Sequence, residues 1–189
     1  MERKTAEYAV VSCAGIGFKV FVPASVLKRL PASGEDVTLF THLHARDDGM
    51  DLYGFMTEPA LALFELLISV AGVGPRTALA VLSVDTVERV TAAILEKRTD
   101  LLLRAPGIGK KTAERIILEL QSKLELSHAK SITEHMTEEA EAEEALLTLG
   151  YSRSEARGAV AEASRTEKGF EGTLRGALRI LGLRNDRRP

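Results

Sequence analysis

The sequence predicts an α+β protein built from several small domains: a β-rich N-terminal segment, an all-α centre and a detached helical tail. Three observations predict it. β-prone runs punctuated by Gly, Pro and Asp fill the stretch up to Phe55, and helical spacing sets in at Thr57 and dominates from there on. That spacing lapses once, over residues 127–138, beside an acidic run of Glu138, Glu139, Glu141, Glu143 and Glu144.

The first domain, residues 1–57, holds four β-prone runs: Tyr8 to Ser12, Lys19 to Val22, Val37 to His44 and Leu52 to Phe55. A small antiparallel barrel or sheet is their natural outcome. The second domain, residues 58–126, opens at Thr57-Glu58-Pro59, a helix start followed by Leu61, Phe64, Leu67 and Ile68 at helical spacing. Asp85 with Glu88 reads as a capping box for a helix through Glu96. Thr99 or Asp100 can cap a short helix through Arg104, and Lys110 begins one reaching about Leu126. Residues 127–138 read as a flexible linker. The tail, residues 139–189, carries three helical patterns and predicts a three-helix bundle: Ala140 to Leu149, Ser152 to Ala163 behind a Ser152/Glu155 capping box, and Thr173 to Leu181 closed by Gly182.

Composition narrows the class. The chain has 189 residues, 45% of them hydrophobic, enough for one compact core or two to three small ones. No apolar run approaches the ~18 residues that cross a bilayer, and Met1 to Tyr8 is too polar for a signal peptide. No membrane association and a cytoplasmic location are expected. Cys13 is the one cysteine; in the apolar run Val10-Val11-Ser12-Cys13 it reads as a small buried residue, and no disulfide or cysteine-based metal site can form within one chain. The formal charge of -2 does not suggest a polyanionic partner, but counterion release depends on where the cations stand.

An internal repeat shows where they stand. Ala71-Gly72-Val73-Gly74-Pro75-Arg76-Thr77-Ala78 recurs as Pro106-Gly107-Ile108-Gly109-Lys110-Lys111-Thr112-Ala113, an offset of 107 − 72 = 35 residues. In each copy a helix runs into Gly-aliphatic-Gly and a second helix starts at once, which is a helix-hairpin-helix pattern. The amides opening the second helix lack partners, the macrodipole is positive there, and glycine admits close approach of a phosphate. The predicted DNA-backbone contacts are therefore Gly72, Val73, Gly74, Arg76 and Thr77 in the first copy, and Gly107, Ile108, Gly109, Lys110, Lys111, Thr112 and Arg115 in the second. Gly109-Lys110-Lys111-Thr112 is not a nucleotide-binding loop, because Lys111 stands where Ser or Thr must follow the lysine and Arg104 where a further Gly is needed.

Four stretches resemble the RuvA family of bacterial Holliday-junction-binding proteins, which act with the RuvB ATPase in branch migration. They are Thr41-His42 through Leu52-Tyr53-Gly54-Phe55, Val73 to Arg76, Pro106 to Arg115, and Ala145-Leu146 through Leu149-Gly150-Tyr151. The resemblance covers most of the chain. It implies an oligonucleotide-binding-fold (OB-fold-like) barrel, a tandem hairpin domain that binds four-way junction DNA, and a C-terminal domain that docks the hexameric RuvB-like ATPase. It implies a homotetramer, or two tetramers forming an octamer, and a junction resolvase as a further partner. Asp47 and Asp48 match the family's acidic pin, whose carboxylates repel phosphates at the crossover; without the family, Asp47-Asp48-Gly49 is ordinary turn chemistry. ATP hydrolysis belongs to the partner, so no catalytic residue, metal or cofactor is expected.

The family opens with a strand upstream of where this chain starts, so the first barrel strand is expected to be missing or replaced, leaving a weakened edge. In the tail, Leu146, Leu149, Tyr151, Leu174 and Leu178 are the candidates for docking the motor, although such residues are most simply core. His42 and His44 alternate on one strand but lack companion ligands for a metal. Two other readings compete: a helix-hairpin-helix glycosylase or nuclease, whose catalytic residue after Arg115 is not evident, and a single-strand binder stacking bases on the N-terminal aromatics.

Overall fold

The computed structural model describes residues 1–47 and 49–185, without the side chains of 127–134 and 183–185. The chain forms two compact units, Met1–Glu125 and Leu126–Pro189.

The first unit opens with five strands: β1 (Arg3–Lys4), β2 (Tyr8–Cys13), β3 (Ile16–Phe21), β4 (Phe40–Arg46) and β5 (Gly49–Phe55). They lie in the order β1-β2-β3-β5-β4, antiparallel except for the parallel β3–β5 pair. With α1 (Ala24–Arg29) on the crossover between β3 and β4, this is the strand order of the partly open OB-fold barrel. The β2–β3 hairpin turns through Ala14 and Gly15 at φ 51° and 82°, the left-handed pair that matches strand twist. Period-two alternation then sorts the side chains. Ala9, Val20 and Leu52 face a small core closed by Val22, Val26 and Leu30, while Phe21, Tyr53 and Phe55 face the helices.

Three expectations change here. A first strand, expected to be missing or replaced, is present as β1, which pairs Arg3 with Val10 and Lys4 with Ala9, while Gly34 N–H donates to the Met1 carbonyl at 2.8 Å. The helix α1 was not expected: it has six residues, too few for a periodic signal, and buries only Val26. Cys13 is exposed rather than buried, because it ends β2 where the hairpin runs out beyond the core.

The helices of this unit are α2 (Glu58–Ile68), α3 (Pro75–Val81), α4 (Val87–Leu95), α5 (Thr99–Leu102) and the first part of α6 (Lys110–Thr148), whose remainder belongs to the second unit. One core joins sheet and helices, with Phe64 at its centre: its ring lies 4.9 Å from Phe55 and 5.2 Å from Tyr53, and Leu67, Ile94, Leu102, Ile116 and Leu120 are fully buried around it. Each such side chain contributes about 1.5–3 kcal/mol by leaving water. The α4 cap sits one residue later than expected. Thr86 accepts from the Arg89 amide, while Asp85 accepts from the Thr86 amide at 2.9 Å and the Arg89 guanidinium at 3.2 Å, which hold its carboxyl below the usual range. Thr99 is the first residue of α5 and not its cap, a position taken by Arg98 without a side-chain bond.

The flexible linker expected over residues 127–138 is corrected to helix, since α6 runs from Lys110 to Thr148. Loss of apolar periodicity removed the signal of a buried face, but the stretch holds no Gly or Pro to stop a helix, and Ala129, Lys130, Glu134, Met136 and Glu138 favour one. In the second unit, α7 (Arg153–Ala163) carries the complete Ser152/Glu155 capping box. Its neighbour α8 (Gly169–Asn185) starts before Thr173 and continues through Gly182, which was expected to end it. Glycine weakens a helix interior by about 1 kcal/mol without stopping it. The end of α6 does use a glycine: Gly150 at φ 94° lets its N–H reach the Leu147 carbonyl and that of Tyr151 reach Leu146, a Schellman closure. Ala142, Leu146, Ala156, Ala159, Val160, Ala163, Ala177 and Leu181 form the core of this unit.

Candidate nucleic-acid interface

The sequence repeat is a repeat of geometry. Gly72 and Gly107 have φ of 87° and 86°. The Val73 amide bonds the Val70 carbonyl at 3.0 Å, as Ile108 bonds Ala105 at 3.1 Å, and Ala78 bonds Gly74 at 2.9 Å, as Ala113 bonds Gly109. Val73 and Ile108 are buried plugs, 4% and 7% exposed, so they seat the hairpins rather than meet a ligand directly. At Gly74 and Gly109 an added Cβ would meet nothing within 4 Å, so both positions present open backbone. Gly74 caps α3 without a side-chain bond, Pro75 carries no N–H, and the amides of Arg76 and Thr77 have no helical partner; Lys110, Lys111 and Thr112 stand likewise at the start of α6. Each hairpin can therefore offer amides to an anion.

The cations divide into two kinds. Arg76, Lys110 and Lys111 are exposed, and no hydrogen bond or ion pair ties their side chains to another described residue. Arg115 is different: its Nη1 donates to the Ala71 carbonyl at 2.9 Å, across to the first hairpin. The contact is reciprocated, because Thr77 of the first copy lies 3.7 Å from where a Cβ on Gly107 would stand. Lys123 adds a 3.4 Å bond to Ser69. The hairpins thus form one continuous surface. Sequence reasoning did not single out Lys123, whose place in the amphipathic pattern of α6 carries no mark of a hairpin contact.

Asp47 is exposed in the turn between β4 and β5; Asp48 lies outside the described residues. Below the turn Arg46 Nη2 pairs with Asp51 Oδ2 at 2.9 Å. Tyr53 follows on the same face, its hydroxyl pKa raised mainly by burial and then by Asp51, against lowering by Arg46 and Arg76. His42 and His44 share that face, ring centroids 6.4 Å apart, with His42 Nδ1 3.0 Å from Glu65. Among the described residues no three His, Cys, Asp or Glu side chains group as a metal site, and no helix is long and apolar enough to cross a membrane.

In the second unit the five docking candidates separate. Leu146 is fully buried and belongs to the core, Leu174, Leu178 and Tyr151 pack partly against that core, and Leu149 is 62% exposed. Phe170, 37% exposed at the start of α8, was not anticipated, since it precedes the pattern read from Thr173 onward.

Three family models match the chain in succession: RuvA N terminal domain over residues 1–54, SAM-like helix-hairpin-helix tandem over 64–122, and RuvA C-terminal domain over 137–182. Among curated proteins, the chain is similar to the Holliday junction branch migration complex subunit RuvA of Thermoanaerobacter pseudethanolicus, 46% identical over 93% of this chain and 91% of the relative. The proteins of the same name from Symbiobacterium thermophilum and Methylibium petroleiphilum are each 41% identical, over 93% and 96% of this chain and 90% and 95% of their own lengths.

Proposed function

Because the chain belongs to the RuvA family, we propose that it binds four-way junction DNA through its paired hairpins and recruits a RuvB-like hexameric ATPase for branch migration. One observation carries the DNA-binding half: two hairpins of matching backbone geometry, offset by 35 residues as 107 − 72, are fastened to each other and both present open amides beside free cations. Amides and lysines that meet phosphates read no bases, so each hairpin alone is blind to sequence. Selectivity for a junction then needs several copies engaging several arms at once, where each added arm binds at high effective concentration. A homotetramer, or two tetramers enclosing the junction, supplies this, and a junction resolvase is a further partner of the assembled complex.

In this reading Gly72, Gly74, Gly107 and Gly109 admit the phosphates, with Arg76, Thr77, Lys110, Lys111 and Thr112 around them. Val73 and Ile108 hold the hairpins in shape, and Arg115 joins the two. Asp47 and Asp48 are the acidic pin, which excludes continuous duplex from the centre and keeps exchanging strands apart. Chemistry on ATP resides in the motor, and this chain acts as a non-catalytic subunit that docks it through the C-terminal unit. A helix-hairpin-helix repair enzyme does not account for the matches at both ends of the chain.

The test is a gel-shift titration, without ATP, against a synthetic four-way junction and a linear duplex of equal length at two salt concentrations. Strong junction preference that weakens with salt supports the reading; equal affinity for both substrates overturns it.

A further inference from the structure

The two copies of the repeat, offset by 107 − 72 = 35 residues, are not held alike. An added Cβ on Gly72 would stand 3.8 Å from Arg115 Nη1 and one on Gly107 3.7 Å from Thr77 Oγ1, so each hairpin is flanked by the opening helix of the other copy. At the first hairpin that flank is fastened, because Arg115 donates to the Ala71 carbonyl at 2.9 Å. Carried across the repeat, the same pair becomes Ala80 (115 − 35) and Pro106 (71 + 35). Alanine has no side-chain donor, so the second hairpin has no matching clasp.

The chain also turns away from this flank. Helix α6 runs on past Arg115 to Lys123, whose Nζ donates to Ser69 Oγ at 3.4 Å, whereas α3 stops at Val81 and is followed by the turn at Ser83 and Val84. A groove of about 440 Å³ is left, lined by Ala80, Ser83, Val84, Arg104 and Pro106. The Arg104 side chain is exposed, and no hydrogen bond or ion pair ties it to another described residue. The polar groups around it are already engaged. Ser83 Oγ donates to the Leu79 carbonyl at 2.7 Å and accepts the Ala24 N–H at 3.0 Å. Asp85, on whose carboxyl Arg104 acts without pairing, is held by the Thr86 amide at 2.9 Å and the Arg89 guanidinium at 3.2 Å. The five-donor fork of Arg104 is therefore open to an acceptor from outside.

We propose that this groove is a subsite for the backbone of the junction DNA, in which Arg104 takes a phosphate adjoining the one that the second hairpin holds. The inference rests on the junction-binding reading above and adds Arg104 to the binding residues. Pro106 leads directly into Gly107, so the groove continues the surface of the hairpin. A guanidinium meets a phosphate through two parallel N–H bonds, while Ala80, Val84 and Pro106 offer the attached sugar an apolar wall. The equivalent flanks then divide two tasks. At the first hairpin an arginine is turned inward and fixes the two copies together; at the second an arginine stays free and lengthens the grip on one strand.

The experiment measures junction affinity against salt for the full chain, its Arg104→Gln, Arg104→Lys and Ala80→Met variants, and Lys110→Ala/Lys111→Ala as a control. Thermal melting is recorded for each. Loss of one phosphate contact lowers the log–log salt slope by about 0.9. Arg104→Gln is expected to show that loss with an unchanged melting temperature, and Arg104→Lys, which keeps the charge, to restore the slope. Ala80→Met fills the groove without altering charge and should lower the slope as Arg104→Gln does, with no further loss when the two are combined. A junction carrying single methylphosphonate linkages, placed stepwise along one arm, supplies a second readout: one neutral linkage should weaken the native protein and leave Arg104→Gln indifferent. An unchanged slope in Arg104→Gln, or a variant that stays sensitive to every linkage, while the lysine control still lowers its slope, overturns the subsite and leaves the hairpin reading standing. An unchanged slope in the lysine control overturns both.

Discussion

Arg115 and Ala71, 44 residues apart, are joined by a 2.9 Å hydrogen bond from the guanidinium to the backbone carbonyl, so a cation of the second hairpin is spent on fixing the first. Arg115→Ala should therefore lower stability by about 1 kcal/mol, the ordinary worth of a hydrogen bond, and weaken junction binding through misplaced hairpins. Arg115→Lys separates clasp from charge: it keeps the charge but not the fork, and should recover little of the stability. Urea unfolding measures the first effect and a salt titration the second. Full recovery of affinity by lysine would return Arg115 to the role of a simple phosphate contact.

Lys110 and Lys111 should behave in the opposite way. Their side chains make no hydrogen bond or ion pair with another described residue, so removing them leaves the fold untouched. Lys110→Ala with Lys111→Ala is expected to flatten the salt slope by about 1.8, at roughly 0.9 per phosphate, with no change in the unfolding midpoint. Unchanged binding would move the interface elsewhere.

The glycines divide by a criterion that only the structure provides. Gly72 and Gly107 sit at positive φ, where an alanine is strained by roughly 1–2 kcal/mol. Gly74 and Gly109 do not, and a methyl group there enters empty space. Alanine at 72 or 107 should lower the melting temperature, whereas alanine at 74 or 109 should leave it unchanged and weaken DNA binding by obstructing the phosphate. A stable Gly74→Ala/Gly109→Ala variant with native affinity would exclude phosphates from these backbones.

Where the sequence could be read, and where it could not, follows from the range of each signal. The hairpins were legible because their requirements are local: a glycine for the turn, an aliphatic plug, an open helix start, all within eight residues and then repeated. The Ser152/Glu155 cap was legible for the same reason. The Arg115–Ala71 clasp joins groups from distant segments, which no local pattern encodes. The full length of α6 is not legible in the sequence because periodicity reports a buried face and not helicity. Asp85 and Thr86 stand side by side and both residue types can cap a helix, so only the geometry distinguishes them.

Asp47 belongs to an exposed turn between two paired strands, so its carboxylate costs nothing to solvate and its charge is available at long range. Asp47→Asn with Asp48→Asn should raise affinity for linear duplex more than for the junction and narrow the gap between them. Competition binding of the two substrates checks this, and the effect should fade at high salt as the Debye length contracts. An unchanged gap would remove the pin from the account of selectivity.

In the C-terminal unit the structure turns five docking candidates into a graded set. Leu146 is fully buried in a small core otherwise made mostly of alanines, where few large side chains supply the apolar area. Leu146→Ala should cost about 2–5 kcal/mol, enough to unfold a bundle of this size, and loss of motor binding would then say nothing about contact. Leu149 lies three residues later on the same helix end and is 62% exposed, so trimming it removes surface without leaving a cavity. Leu149→Ala should keep the circular dichroism and melting profile of the native chain while weakening its affinity for the RuvB-like ATPase several-fold, as expected for an apolar anchor in a partner groove. Calorimetric titration of the full chain with the motor supplies the measurement. If Leu149→Ala binds as tightly as the native chain, the docking face lies instead around Phe170, an exposed apolar side chain at the start of α8.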